Sequence, residues 1–319
     1  MTARSTVTCM RWGLVTTTNA PTRTVLDFVA YHLDQGASRL WLFLDDCNTE
    51  TAAALADRRE VKCILTDDAY WQKKGRRPVD HQPRQSVNAR HAYNRSNRFD
   101  WLGHIDIDEF LCPEDDMARA LAALPSSALV ARIRAVEALA PGPDGATHWF
   151  KAMPIDRAER RLKTDALYPE YGRHLFDGFL SHLAGKIFVR TGQKGLKMRI
   201  HNAVLDGIEN PGQVEMGTVS LCHLHAENWE TWRARFDYRL EHGVYRASVA
   251  RRGPTGMNTH EFFKALLAEG GEEALRAFHT ALCTATPDHL AALETHGLLR
   301  KHTLQLSTKR KQFFPDMAD

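Results

Sequence analysis

Acids close the apolar segment WLGHIDIDEF, which spans residues 101–110. If this segment is one strand, the alternation of side chains puts Asp106 and Asp108 on the same face. Carboxylates are the hard oxygen ligands that Mg²⁺ and Mn²⁺ prefer, and Glu109 follows directly. The motif therefore favours a divalent metal site. The alternative is a strand end whose acids face water.

Acids also end the two predicted strands that come before this one. SRLWLFLDD ends in Asp45 and Asp46, and VKCILTDD contains Asp67 near its end. In open α/β sheets, ligands bind at the carboxyl ends of the strands, so these acids predict an anionic crevice that favours a cation. Asp45 and Asp46 could instead cap the next helix or accept hydrogen bonds from a base or a ribose.

Polar and basic side chains accompany the acids. The segment PRQSVNARHAYNR is predicted to be a helix that carries Arg84, Gln85 and Asn88 at helical spacing. Such side chains pair well with phosphate and ribose hydroxyls, and the alternative is a solvated helix face. In GKIFVRTGQKG, Lys186 belongs to a basic cluster that could neutralise a leaving diphosphate or form an exposed hairpin.

Histidines supply a further candidate. In LCHLHAENW, His223 and His225 alternate at a predicted strand end and so share a face. Either imidazole could complete a metal shell or contact a diphosphate, although a structural histidine is the alternative. His201, in RIHNA, is a weaker candidate of the same kind.

Strand and helix patterns alternate along the first third of the chain. Apolar segments predict strands at 6–15, 38–46, 61–68 and 100–111, and helical patterns fill 20–36, 49–59 and 84–98, with a basic loop at 69–83. This alternation predicts an α/β fold with a mostly parallel sheet and helices on both faces. The chain from 246 onward is helical in character.

Composition places the chain among ordinary globular proteins. It has 319 residues, 43% of them hydrophobic, and a net charge of +3. A charge this small says little about nucleic acid by itself, and the sequence shows no basic face concentrated enough to bind it. No apolar run is long enough for a membrane span. The N-terminus lacks the apolar core of a secretory signal, and the cysteines are scattered. We therefore expect a cytoplasmic protein, with peripheral binding to the inner membrane as the alternative.

Taken together, these segments resemble family-2-type glycosyltransferases of the GT-A fold. More narrowly, the chain is similar to the bacterial branch with an HIDxDEF strand, which is related to the family-92 glycosyltransferases. The resemblance covers residues 12–236 and rests on LVTTTNAPTRTVLDF, RQSVNARHAYNRSNRFDWLGHIDIDEFL, SHLAGKIFVRTG and LCHLHAENWETWRARF. It implies a Rossmann-like nucleotide-sugar-binding domain at 1–226 and a helical C-terminal extension at 227–319.

The resemblance also implies an activity, the transfer of a sugar from a nucleotide-sugar donor, with a UDP-sugar favoured. The acceptor would be a glycan, a lipid-linked glycan or a protein, and the transfer would invert the anomeric centre. Asp106 and Asp108, with His225 or His223, would hold Mn²⁺ or Mg²⁺ across the donor phosphates. The nucleotide-sugar contacts would come from Asp45, Asp46, Asp67, Arg84, Gln85, Asn88 and Lys186.

Glu109, Glu137 and Asp177 are all possible catalytic bases, and the sequence does not select one. A non-catalytic nucleotide- or carbohydrate-binding module of the same fold is the main alternative function. A phosphatase of the Asp-x-Asp-x-Thr kind is disfavoured because Glu109 and Phe110 stand where that motif needs a hydroxyl residue.

Overall fold

The computed structural model of the chain describes residues 10–141, 147–175, 178–226, 228–248 and 255–317. The chain forms two compact units that interleave along the sequence. Unit 1 comprises Met1–Arg134, Ala184–Leu221 and Gln305–Asp319, and unit 2 comprises Ala135–Leu183 and Cys222–Leu304. The sequence led us to expect a single boundary at 226 instead.

Strands and helices alternate through the first part of the chain. The strands are β1 Trp12–Thr18, β2 Arg39–Leu44, β3 Val61–Leu65, β4 Trp101–His104, β5 Glu109–Pro113, β6 Val130–Ala138, β7 Thr147–Lys151, β8 Lys186–Arg190, β9 Lys197–Met198, β10 Ala203–Leu205, β11 Ile208–Glu209, β12 Gln213–His223 and β13 Leu299–Thr303. The helices are α1 Thr22–Asp34, α2 Thr49–Ala54, α3 Asp68–Gln72, α4 His81–Tyr93, α5 Met117–Ala122, α6 Arg157–Leu167, α7 Trp229–Ala234, α8 Phe236–Glu241, α9 Thr259–Cys283, α10 Pro287–Thr295 and α11 Leu306–Phe313.

The sheet of unit 1 is built around β1, whose residues are all buried. β1 pairs in parallel with β2 and β4, and β2 pairs in parallel with β3. β8 runs antiparallel to β4, and β6 runs antiparallel to β8. The strand order is therefore β6-β8-β4-β1-β2-β3. The expected α/β class, with a mostly parallel sheet flanked by helices, is confirmed.

Parallel pairing brings the ends of β2, β3 and β4 to one edge of this sheet. The register pairs Thr18 of β1 with Leu44 of β2, and Leu44 with Leu65 of β3. Asp45 continues this edge, since its backbone N–H donates to the Thr18 carbonyl at 2.8 Å. The acids that come directly after these strands therefore share the edge at which open α/β sheets bind ligands.

Three local predictions differ from the structure. The segment 100–111 was predicted as one strand, but it forms β4 and β5 with a turn between them. The predicted basic loop 69–83 contains most of α3 and the beginning of α4. The helical C-terminal region includes the strand β13, and α11 belongs to unit 1.

Unit 2 combines antiparallel strands with helices. β7 pairs antiparallel with the end of β6 and with β13. Its core is rich in aromatic rings from α7, α8 and α9, among them Trp232, Phe236, Phe263 and Phe278. In the described part of the chain, no helix has both the length and the apolar character needed to cross a membrane.

Candidate functional site

Asp106 and Asp108 of the HIDIDEF segment, residues 104–110, lie on a turn between β4 and β5, and Glu109 begins β5. β4 ends at His104, and the Glu109 N–H donates to the Asp106 carbonyl at 3.1 Å. In return, the Asp106 N–H donates to Glu109 Oε2 at 2.7 Å. The prediction that Asp106 and Asp108 share one face of a strand is therefore wrong, because the Glu109 carboxylate holds the backbone in a turn before β5 begins.

Asp106 is held by two donors from two different elements. Gln85 on α4 donates from Nε2 to Asp106 Oδ1 at 2.6 Å. Lys186, the first residue of β8, donates from Nζ to Oδ2 at 2.7 Å. Burial by itself raises the pKa of Asp106, but the charge and hydrogen bond of Lys186, together with His104 and His201, outweigh it and hold that pKa well below its usual range. The carboxylate is therefore ionised at neutral pH.

Lys186 is a buried cation that contacts residues 106–109, which we call the acidic turn. Its side chain is 2% exposed, and its Nζ lies 3.5 Å from Glu109 Oε2 in addition to its contact with Asp106. Burial lowers the pKa of Lys186, but the charges of Asp106, Glu109 and Asp108 more than compensate and raise it. Lys186 does not lie in the exposed hairpin that was the alternative prediction.

Two histidines lie near the same turn. His104 is fully buried, and burial, aided by the charge of Lys186, lowers its pKa to about 3, so the ring is neutral. His201 Nδ1 lies 2.8 Å from the Gly185 carbonyl, to which it donates. Its charged form would lie close enough to Asp106 to lower the pKa of that carboxyl. The structure thus brings the weaker histidine candidate to the acidic turn.

A second polar cluster surrounds Asp45, just after β2. Arg84 Nε lies 3.1 Å from Asp45 Oδ2, and Arg77 lies 3.3 Å from Oδ1. The Thr66 hydroxyl donates to Oδ1 at 3.1 Å. This cluster holds a nearly buried carboxylate between two guanidinium groups, and guanidinium groups bind phosphate well. Arg84 and Gln85, adjacent on α4, therefore link Asp45 to Asp106.

The other residues predicted on this edge have local structural contacts. Asp46 is exposed and accepts the Asn48 N–H at 3.3 Å. Asp67 is exposed and caps α3 by accepting the Tyr70 N–H at 2.7 Å. Asn88 is fully buried: its Nδ2 donates to Thr17 Oγ1 at 3.0 Å, and its Oδ1 accepts from the Tyr70 hydroxyl at 2.6 Å. Asn88 therefore joins α4 to β1 and α3.

The predicted histidine pair belongs to unit 2. The rings of His223 and His225 are 5.1 Å apart between centroids. His225 is buried, and its Nε2 lies 3.1 Å from the Tyr245 hydroxyl, which also accepts from Trp232 Nε1. Burial, with Arg239 nearby, keeps the pKa of His225 well below its usual value. The surroundings described for His225 are those of an aromatic core.

Glu137, one of the candidate bases, also belongs to unit 2. Its carboxylate lies 3.3 Å from Lys151 Nζ and accepts the backbone N–H groups of Leu180 and Ser181. Lys151 also donates to the carbonyls of Gly178 and Leu282. Both charges are buried and bonded, an arrangement that holds the chain around 178–181. Asp177, the third candidate base, lies outside the described residues.

Sequence reasoning did not single out Arg77 or Thr66. Thr66 comes directly after β3, so a strand-end hydroxyl was the available signal, and Arg77 lies within the stretch predicted as a basic loop. The sequence pattern gives His104 no role beyond its place in the HIDIDEF motif. Its burial beside Lys186 depends on β4 and β8 being neighbours, which the sequence does not specify.

Comparison with solved structures returns distant likenesses. HddC from Yersinia pseudotuberculosis matches with a TM-score of 0.31 at 10% identity, over 57% of this chain and 77% of that one. WbbM, a bifunctional glycosyltransferase, matches with a TM-score of 0.31 at 10% identity, over 58% of this chain and 32% of that one. Mannose-1-phosphate geranyltransferase from Thermus thermophilus matches with a TM-score of 0.29 at 12% identity, over 57% of this chain and 58% of that one.

These TM-scores are too low to establish a shared fold with any of the three proteins. No protein-family model matches the chain, and no curated protein does.

Proposed function

We propose that this chain is a glycosyltransferase that takes its sugar from a nucleotide-sugar donor. The observation that carries the proposal is the convergence on Asp106. A carboxylate just beyond a parallel strand receives Gln85 from α4 and Lys186 from β8. The strand-end edge of an α/β sheet is where such folds bind nucleotides. The Asp106 side chain keeps 34% of its surface exposed, so a ligand at this edge can still contact it.

The cluster at Asp45 is proposed to bind the nucleotide of the donor. Arg84 and Arg77 bring positive charge to the end of β2, where they can pair with the diphosphate or its ribose. Asp45 positions these guanidinium groups and can itself accept hydrogen bonds from ribose hydroxyls. Because Arg84 and Gln85 are adjacent on α4, the helix fixes the position of this cluster relative to the acidic turn.

We propose that the acidic turn contributes ligands to a site for Mn²⁺ or Mg²⁺. Asp106 and Asp108 supply hard oxygen ligands, and His201 donates its Nδ1–H to a backbone carbonyl, the usual arrangement for a histidine that ligates through Nε2. The bound cation would neutralise the leaving diphosphate as a Lewis acid. Asp106, Asp108 and His201 are therefore the ligands we propose from unit 1, and His223 and His225 in unit 2 stay predictions.

Transfer with inversion needs a base that takes the acceptor proton. Glu109 is 4% exposed and already accepts the Asp106 N–H, and Glu137 is paired with Lys151. Replacement of Glu109 or Glu137 would therefore also remove a contact that stabilises the fold. A base is identified by a Gln or Asn variant (at Glu109, Glu137 or Asp177) that keeps donor affinity and melting temperature but loses transfer.

Asp108→Asn tests the metal role. We expect titration calorimetry with UDP to show affinity that depends on Mn²⁺ in the wild type and loses that dependence in the variant, because one anionic ligand is removed. Asp115→Asn is the matched control, since Asp115 is an exposed acid shortly after β5. Unchanged Mn²⁺-dependent UDP affinity in the Asp108 variant would remove Asp108 from the metal site.

A screen of nucleotide sugars separates an enzyme from a binding module. Slow hydrolysis of one donor, dependent on Mn²⁺ or Mg²⁺ and lost in Asp108→Asn, supports the glycosyltransferase. Tight nucleotide binding with no turnover of any donor would instead favour the non-catalytic module.

A further inference from the structure

The acidic turn already contains a cation of the protein's own. Lys186 Nζ is 2.7 Å from Asp106 Oδ2 and 3.5 Å from Glu109 Oε2, and its side chain is 2% exposed. A buried ammonium group is costly unless it is paired and hydrogen-bonded, and here it is both. Lys186 therefore occupies the space beside Asp106, the carboxylate that we propose as a ligand of the divalent cation.

We propose that Lys186 is the resident counter-ion of the acidic turn and that it limits how tightly the protein binds a divalent cation before the donor arrives. This inference rests on the proposed function in one respect: the cation is the same one that we propose to bind the donor diphosphate. In the free protein, Lys186 compensates the charge of Asp106 and Glu109. The donor phosphates then supply the anionic ligands that a cation still needs.

The physical reason is competition between charges of the same sign. A divalent cation bound at Asp106 would stand within a few ångströms of Lys186 Nζ, where repulsion is screened weakly because the lysine is buried. Asp106 also accepts Gln85 Nε2 on its other oxygen at 2.6 Å. A cation must therefore bind a carboxylate that is already neutralised and bonded on both oxygens. Removal of the lysine charge leaves the negative charges of Asp106 and Glu109 uncompensated, so the turn attracts a cation from solution more strongly.

The arrangement also explains why β8 begins at this lysine. Gly185 has a φ of +63°, and a Cβ there would lie 1.9 Å from the Ile133 carbonyl oxygen. The backbone before Lys186 is thus fixed against β6 in a conformation that favours glycine. The same Gly185 carbonyl accepts His201 Nδ1–H. One peptide segment therefore positions both the resident cation and a proposed ligand.

Calorimetric titration with Mn²⁺ alone, at pH 7.5 and without nucleotide, tests the proposal. We expect Lys186→Met and Lys186→Gln to bind Mn²⁺ about tenfold more tightly than the wild type or better, because each removes the charge that repels the cation. Lys186→Arg keeps the charge and should stay within about twofold of the wild type. Lys194→Met, an exposed lysine in the turn after β8, is the matched control and should leave Mn²⁺ affinity unchanged.

Thermal unfolding gives a second readout that does not depend on activity. Lys186→Met should melt below the wild type without metal and should gain more from Mn²⁺ than the wild type does, since a ligand that binds only the folded state stabilises it. If Lys186→Met does not fold, Lys186→Gln decides, because its amide can still donate to Asp106 and Glu109.

Equal Mn²⁺ affinity in the wild type and in the two neutral variants would overturn the proposal, and so would the absence of Mn²⁺ binding in all of them. The outcome is separable from that of the proposed function. A protein that turns over no nucleotide sugar, yet gains Mn²⁺ affinity on loss of the Lys186 charge, refutes the glycosyltransferase and leaves Lys186 as the resident counter-ion.

Discussion

At the scale of residues, the candidate site is defined by the way in which ionised groups are paired. Asp106 has a donor on each oxygen, from Gln85 and Lys186, and Asp45 has Arg84 and Arg77 on opposite oxygens. Charge-assisted hydrogen bonds such as the one from Lys186 to Asp106 fix a carboxylate in one orientation. The carboxylates of the candidate site are therefore held by contacts within the protein itself.

A buried neutral histidine gives unit 1 a measurable dependence on pH. His32 on α1 is fully buried, its Nδ1 donates to the Phe28 carbonyl at 2.9 Å, and its Nε2 accepts the Leu111 N–H at 3.4 Å. Burial lowers its pKa to about 3. The folded state therefore binds this proton less readily than the unfolded state, so the stabilisation is present above about pH 6.5 and is lost as the pH falls toward 3.

We therefore expect His32→Gln to remove part of the acid sensitivity. The measurement is urea unfolding at pH 7, 6, 5 and 4. Below pH 6.5, the free energy of unfolding of the wild type should fall more steeply than that of the variant, by up to about 1.4 kcal/mol per pH unit. His242→Gln, at an exposed histidine, should follow the wild type. Parallel curves for all three proteins would show that His32 is not the group responsible.

At the scale of elements, the site depends on where the strands end and on which residues come directly after them. β2 and β4 are both parallel neighbours of β1, so Asp45 and Asp106 come to one edge. The first turns of α4 supply Arg84 and Gln85 to those two acids. β8, antiparallel to β4, begins at the same edge and supplies Lys186. Each side chain is thus placed by an element that is itself buried in the core of unit 1.

Glycine substitutions test the segment that positions Lys186. Gly185 and Gly192 both have positive φ, but only Gly185 is crowded: a Cβ at Gly192 meets nothing within 4 Å. We expect Gly192→Ala to cost about 1 kcal/mol for its backbone conformation and Gly185→Ala to cost roughly 1–3 kcal/mol more from the clash with Ile133.

The measurement is urea unfolding of both variants together with Mn²⁺-dependent UDP binding. Only Gly185→Ala should weaken that binding, since it displaces the start of β8. Equal losses of stability in the two variants would show that the crowding at Gly185 is relieved by a small backbone shift.

At the scale of the whole molecule, the chain passes between its compact units more than once. Unit 1 is completed by Gln305–Asp319, whose helix α11 pairs Arg310 with Asp27 and Lys309 with Asp34 on α1. Unit 2 needs both Ala135–Leu183 and the later helices, because Tyr168 and Leu175 share a core with Phe263 and Phe278. The C-terminal region is therefore part of both units.

A fragment ending at residue 226 tests this interleaving. It retains 135–183 but lacks α9, so Tyr168 and Leu175 lose their apolar partners, and it also lacks α11. We expect the fragment to bind the dye ANS and to unfold over a broad transition, as loosely packed states do. The full chain is the control. A fragment that unfolds as sharply as the full chain would show that residues 1–226 form a domain on their own.

The sequence by itself determined the fold class and the residue types of the site. Alternating strand and helix patterns and acids after apolar runs are local signals, and they predicted the α/β sheet, its polar edge, and Asp45, Arg84, Gln85 and Asp106 upon it. Asn88 lies on the expected helix, where it makes a packing bond to Thr17. Asp67 was expected at the end of a strand but caps α3, a helix that the sequence did not predict.

Only the tertiary structure decided which side chains meet. Lys186 and His201 come from segments far along the chain from Asp106, and their approach depends on β8 pairing beside β4, a long-range choice that local patterns do not encode. The turn at Asp106 likewise depends on the hydrogen bond from the Asp106 N–H to the Glu109 carboxylate. The local sequence does not decide whether an acid after a strand makes such a bond. Tertiary structure also fixes the position of a charge: burial lowers the pKa of Lys186, but the charges of Asp106 and Glu109 more than compensate, so the lysine stays a cation at a defined place.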